Sequence, residues 1–399
     1  MTDPNTLDAF LMQRRRLMGA GLAAFALPAM GKNRSGPATT PDAFDTFVAE
    51  QMRLANIPGL AVGLARGGNV RLVRGYGYAN IEQRRPVTVD TQFHIASITK
   101  TVTAAAIMQL ADDGRLTLDE PVARHLDFPL NNPNHPTAPI TFRELLTHTS
   151  SLSDAKYYEI DFRVRGQDAT LSLSDFLKNY LVPTGSVYSS DKCFSKVMPG
   201  STWDYSNVGY ALLGYLASRI AAKDMRQQTR ERIFAPLGMH DTHWRLSDTP
   251  RRRSVIPYDV IDGVLKPLEP VGFPDWPAGM LRSSVADFTR FVAASANGGT
   301  AQGVRILRSE TMAQMLDMQT PIGLPDWLTG QGLGWMASRL NGAVKPNHWG
   351  GDPGVFTAVY LDPASQAGVV LFSNASASSQ SKSAIRSIAS RLLSVDAHG

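Results

Sequence analysis

Cysteine is almost missing. Cys193 is the single one in 399 residues, so no internal disulfide can form and cysteine usage says nothing about redox compartment. Beyond the N-terminal segment no apolar run is long enough to span a bilayer. No G-x-S-x-G is present, which argues against the strained nucleophile elbow of an α/β-hydrolase sheet. His240-Asp241-Thr242-His243 has metal-like content but no third ligand cluster, so no metal site is expected. An internal repeat is also lacking. The net charge is +5, and the basic residues are scattered apart from Arg14-Arg15-Arg16 and Arg251-Arg252-Arg253. Without interleaved aromatics the second triplet reads as a solvated loop and not as a nucleic-acid surface. What remains, 43% hydrophobic and 19% charged residues, is the composition of a globular protein with a large core.

Residues 1–31 read as an export signal. Three arginines precede Leu17-Met18, a short apolar run and the small-x-small site Ala24-Phe25-Ala26. Arginines followed by Leu-Met suggest the twin-arginine route and a periplasmic or secreted protein. After a Pro-rich linker, Ala43–Leu54 has helical periodicity, with Phe44, Phe47, Val48 and Met52 inward. Two strand-like runs flank Arg66-Gly67-Gly68-Asn69 and predict a β-hairpin. Helical patterns fill the middle at Phe142–Thr147, Leu173–Tyr180, Val208–Ile220 and Asp224–Phe234. Strand character returns at Gly332–Met336, Gly354–Leu361 and Ala367–Phe372, and the Ser381–Leu393 helix closes the chain. The economical fold is α+β: an antiparallel sheet built from both ends, flanked by terminal helices, with an all-helical domain inserted. The expected domain covers 37–395, with 42–96 plus 250–395 as its α/β part and 97–249 as its helical part.

The stretch Phe93–Leu116 carries the chemistry. Its helix opens on Ser97-Ile98-Thr99-Lys100, is apolar nearly all round and should be buried, with Gly114 as its stop. Backbone N–H groups at a helix mouth lack partners and favour an anion forming beside Ser97. Lys100 lies one turn on, and burial would push it toward a neutral amine able to take the Ser97 proton. S-x-x-K occurs four times, at Ser97, Ser153, Ser189 and Ser379, but only Ser97 heads a helix expected to be internal.

Two further motifs can complete a site. Tyr205-Ser206-Asn207 stands at a helix entry. A tyrosine beside a cationic lysine is expected to favour its ionised form and relay a proton, and an asparagine amide can hold a lysine and a substrate carbonyl together. Tyr78-Ala79-Asn80 shares the pattern but falls at a strand end. His348-Trp349-Gly350-Gly351 precedes a predicted strand, where glycines let a substrate approach the backbone. The Gly351 N–H could complete an oxyanion hole with that of Ser97. His148 reads as a loop histidine.

Taken together, Ser97/Lys100, Tyr205/Asn207 and His348/Gly350 resemble the serine β-lactamase and penicillin-binding protein superfamily in its class C branch, which includes D,D-carboxypeptidases, D-aminopeptidases and esterases. Leu145-Leu146-Thr147-His148-Thr149-Ser150, Pro236-Leu237-Gly238-Met239 and Ala278-Gly279-Met280-Leu281 add to the likeness, which covers roughly residues 42–395. It implies an acyl-enzyme on Ser97, with Lys100 and Tyr205 in proton transfer and Asn207, His348, Gly350 and Gly351 around the substrate. No cofactor is implied, and the substrate would be a small ester, peptide or lactam. Histidine replaces the fixed cation at the third motif, so binding of a substrate carboxylate is expected to be weaker and pH-dependent, and Trp349 is expected to add bulk beside the scissile bond. An ester or amide therefore outranks a β-lactam, and a non-catalytic scaffold is the competing reading.

Overall fold

The structure, a computed structural model, describes residues 42–394; the expected export signal at 1–31 and most of the linker lie outside them. Helix α1 (Ala43–Leu54) starts where Asp42 accepts the Asp45 N–H at 2.8 Å, and it buries Val48 and Met52. Strands β1 (Gly59–Arg66) and β2 (Asn69–Asn80) form the expected hairpin. Gly67 (φ 58°) and Gly68 (φ 72°) supply the two left-handed residues that such a two-residue turn demands. Helix α2 (Thr99–Asp112) follows, buried from Thr99 to Leu110. Gly114 (φ 70°) ends it as the Arg115 N–H turns back to the Leu110 carbonyl at 2.9 Å. Among the helices that come next are α3 (Leu173–Leu181) and α4 (Asn207–Ala221), then α5 (Val285–Ala296). Strands β3 (Met336–Leu340), β4 (Ala343–Asp352), β5 (Val355–Asp362) and β6 (Ala367–Ser373) lead to helix α6 (Ser379–Leu393).

These strands make one antiparallel sheet from both ends of the chain. Its order is Gly330–Gln331, β3, β4, β5, β6, β1, β2, Arg85–Pro86. Strand alternation divides its side chains between two cores. Leu60, Val62 and Leu371 point to α1 and α6, against Val48, Ile385 and Ile388. Ala61, Val370 and Phe372 point the other way, to Phe288 and Phe291 of α5 and onward to Ile98 and Val102. A small sheet of Gln92–His94, Arg282–Ser284 and Thr242–His243 ties together segments on either side of the middle region.

The C-terminal strands differ from expectation. The predicted strand at Gly332–Met336 begins only at Met336, and a further hairpin turns at Asn341-Gly342 (φ 48° and 81°) into β4. His348 to Gly351 therefore lie inside a strand rather than before one. Pairing with β5, not the side-chain pattern of Ala343–Asp352, makes this stretch extended.

Candidate active site

Ser97 sits in a single 3₁₀ turn, Ala96–Ile98, that runs into α2. Its neighbour Ala96 has φ 47°, a left-handed conformation costly for a residue with a Cβ. The turn is held on two sides. The Ile95 N–H donates to Leu281 O at 3.0 Å, and Thr357 Oγ1 of β5 donates to Ile95 O at 2.9 Å. Gly350 makes the close approach possible, because a Cβ there would meet Ile95 O at 2.3 Å.

Lys100 is fully buried beneath this turn. Its Nζ lies 2.8 Å from Asn207 Oδ1, 2.7 Å from Ala278 O and 3.3 Å from Ser97 Oγ. Among the described residues no carboxylate is within ion-pair distance of it, and burial lowers its pKa to about 7, against the opposing pull of Asp154 and then Asp275. Two of the other three S-x-x-K lysines behave differently: Lys156 and Lys192 both pair with Glu159 at the surface.

Tyr205 and Asn207 arrive at the mouth of α4. The Tyr205 hydroxyl is hydrogen-bonded to the Ser97 side chain, and Lys100 Nζ lies 4.7 Å from the Tyr205 ring centre. Burial, joined by the charge of Asp154, holds this phenol protonated against the opposing hydrogen bond to Ser97, which corrects the expectation of an ionised tyrosine. Asn207 is oriented from behind. Its Nδ2 donates to Asp154 Oδ2 at 2.8 Å and to the Tyr158 hydroxyl at 3.2 Å, which turns Oδ1 toward Lys100. Asp154 also accepts from Ser206 Oγ and from the backbone N–H groups of Asn207 and Val208, and so caps α4. Burial raises its pKa, and these hydrogen bonds oppose that.

The third motif divides. Gly351 lines a cleft of about 170 Å³ together with Ser97, Tyr205 and Asn207. His348 does not: it is 1% exposed, its Nδ1 lies 2.8 Å from Trp349 O, and burial pushes its pKa down to about 3. It is a neutral group behind the cleft, not a titrating substrate contact. Trp349 turns to the opposite face, where it stacks on Trp327 at 5.3 Å and donates to the Tyr360 hydroxyl at 2.9 Å, so it does not crowd the scissile bond. The register of β3 on β4 ends at Met336↔Asn347, so from His348 onward β4 is paired only with β5.

No spacing or motif around Asp275 singles it out. It lines the cleft at 4% exposure, accepts from the Tyr157 hydroxyl at 3.0 Å through Oδ2, and has no hydrogen-bond partner for Oδ1 among the described residues. Burial raises its pKa to about 6. Asp154 was equally hidden, since it caps a helix that begins 53 positions further along the chain and has no local cap pattern.

A family model described as Beta-lactamase matches residues 44–392. The chain belongs to the beta-lactamase family. The family is one of serine hydrolases, and its mixed fold of helices and antiparallel sheet is the one seen here. The chain is 24% identical over 332 residues to Protein flp of Staphylococcus aureus (strain MW2), covering 83% of this chain but 62% of that relative, so it spans less than two thirds of the relative's length. It is 30% identical over 322 residues to Uncharacterized protein MT1414 of Mycobacterium tuberculosis (strain CDC 1551 / Oshkosh), with coverages of 71% and 75%. Among solved structures it is similar to the D-amino acid amidase of Ochrobactrum anthropi SV3 complexed with L-phenylalanine. The TM-score is 0.71 at 25% identity, over 88% of this chain and 97% of that one.

Proposed function

We propose that this beta-lactamase-family protein is a serine hydrolase that passes an acyl group from an ester or amide to Ser97 and then to water. The setting of Lys100 carries the reading. Two of its three partners, Asn207 Oδ1 and Ala278 O, are carbonyl oxygens that can only accept. A neutral amine gives both its N–H groups to them and turns its lone pair to the Ser97 hydroxyl. Ser97 Oγ then adds to the substrate carbonyl carbon while its proton passes to Lys100 Nζ. The oxyanion forms beside the N–H groups of Ser97 and Gly351. As the bond to the alcohol or amine breaks, the Tyr205 hydroxyl gives that leaving group its proton and is reprotonated from Lys100. Water attacks the acyl-enzyme, Lys100 and Tyr205 again manage the proton, and the acid leaves with Ser97 restored. One water is consumed, and no step uses a cofactor.

The lining of the cleft favours an ester or amide over a β-lactam. Asp259, Asp275 and Asp352 line it, and among the described residues no lysine or arginine does. A penicillin-type carboxylate would enter a lining that presents carboxyl groups and offers it no lysine or arginine side chain. The D-amino acid amidase among the similar structures supports the amide half of this reading. The test is hydrolysis of p-nitrophenyl acetate by the parent and by Ser97→Ala. The variant should keep the parent's circular dichroism and lose at least about a thousandfold in kcat/KM. Equal rates would end the assignment.

Residues 1–31 extend the proposal to export into the periplasm or beyond. Replacing Arg14, Arg15 and Arg16 with lysine in the full chain should trap the protein in the cytoplasmic fraction if the twin-arginine route is used. Unchanged fractionation would reject that route.

A further inference from the structure

His148 directly follows Thr147, the C-cap of the short helix Phe142–Leu146, in the left-handed conformation (φ 58°) that glycine most often supplies there. The surroundings hold it there. The Thr149 N–H donates to Glu144 O at 2.8 Å, the Gly200 N–H donates to Thr149 O at 2.8 Å, and Thr147 Oγ1 donates to Arg143 O at 2.9 Å. The Thr149 N–H bond is the one that closes a helix end around a left-handed residue, usually glycine, so a histidine in this place calls for a reason beyond the turn itself.

The reason lies in what His148 touches. Its carbonyl accepts the Asp204 N–H at 2.7 Å, and its ring Nδ1 accepts the Ser206 N–H at 3.1 Å. These are the residues immediately before and after Tyr205. Between the two grips, the imidazole stacks on the Tyr205 ring, with centres 4.3 Å apart and planes inclined by 29°. Trp203 meets His148 edge-on at 6.0 Å and lies 6.1 Å from the Tyr205 ring, and Tyr210 lies 4.9 Å from His148, so aromatic rings enclose the imidazole. Because Nδ1 accepts, the ring proton sits on Nε2. At 2% exposure, with Lys100 and His348 nearby, the ring is neutral. It is not placed to act as a base.

We infer that His148 is a positioning residue that fixes the Tyr205 hydroxyl against Ser97 by holding the backbone on both sides of Tyr205 and the face of its ring. Histidine meets all three demands. Phenylalanine would stack but could not accept the Ser206 N–H, and asparagine would accept and tolerate the left-handed backbone but could not stack. The inference rests on the proposed function, which gives Tyr205 its proton-transfer role.

The test is a double-mutant cycle on folded protein, with His148→Asn, Tyr205→Phe and both together. In the parent background His148→Asn should lower kcat for an ester about ten- to a hundredfold, the order expected for a misplacement near 1 Å, with KM changed less than about twofold. In the Tyr205→Phe background the same change should cost less than about twofold. A similar loss in both backgrounds, or an unchanged kcat in the parent background, would overturn the inference. NMR of ring-labelled tyrosine supplies a reading independent of turnover. The Tyr205 ring signals, displaced by the stacked imidazole, should move in His148→Asn, and an unmoved signal would count against the inference. If the parent shows no Ser97-dependent turnover, the proposed function falls, while the NMR result still decides whether His148 positions Tyr205.

Discussion

Lys100 and Asp275 are both buried, and burial moves their pKa values in opposite directions, the amine down and the carboxyl up. The amine works as a proton acceptor only when neutral, and burial lowers its pKa to about 7. The acylation rate should therefore fall about tenfold per unit below pH 7 and level off above it. A profile of kcat/KM for an activated ester from pH 5 to pH 9 checks this, and a flat acid limb would contradict it. Lys100→Arg keeps a cation that does not deprotonate and should lose at least about a hundredfold at every pH. Asp275 holds its proton more tightly folded than unfolded, with its pKa raised to about 6 by burial. A raised carboxyl pKa contributes stability at low pH that is lost as pH climbs from about 4 through 6. Asp275→Asn keeps the acceptor for Tyr157, removes that loss, and should stabilise by about 1–3 kcal/mol at pH 8 and by little at pH 4. Thermal melts at the two pH values measure it.

At the scale of elements, the site is set by how closely β4 presses on the Ser97 turn. Gly350→Ala puts a methyl group 2.3 Å from Ile95 O and 2.4 Å from Thr357 Oγ1. The turn must shift, so the variant should lose about 1–3 kcal/mol together with most of its kcat, read by melting and ester turnover. How legible each element was follows from where its instructions lie. Ala43–Leu54 and the Gly67-Gly68 hairpin were readable because periodicity, cap and turn residues are local. Ser97, Lys100, Tyr205 and Asn207 stood out because helix mouths carry recognisable residues, and the structure brings the four together. Strand β4 was hidden, since Lys345-Pro346-Asn347 has little strand character and its form comes from pairing with β3 and, from Asn347 on, with β5. The neutrality of His348, the protonated Tyr205 and the cap by Asp154 come from burial and from contacts across the fold, which no spacing encodes.

At the scale of the whole molecule, the sheet carries a core on each face, and the single thiol reports on its opening. Cys193 is fully buried beside Phe194 in the core that also holds Ile98 and Val102. It should not react with a thiol reagent such as DTNB in native buffer, and one equivalent should react in denaturant, with a labelling rate that follows unfolding. Rapid labelling of the native protein would mean that this core opens locally. The bond from Lys100 Nζ to Ala278 O has a kinetic consequence: its ends are 178 positions apart in the chain. Contacts of such long sequence separation close slowly, after local helices have formed. On dilution from denaturant, helical ellipticity should therefore return well before ester turnover. A fragment that ends before residue 278 would contain Ser97, Lys100 and Tyr205 and still have no reaction to perform.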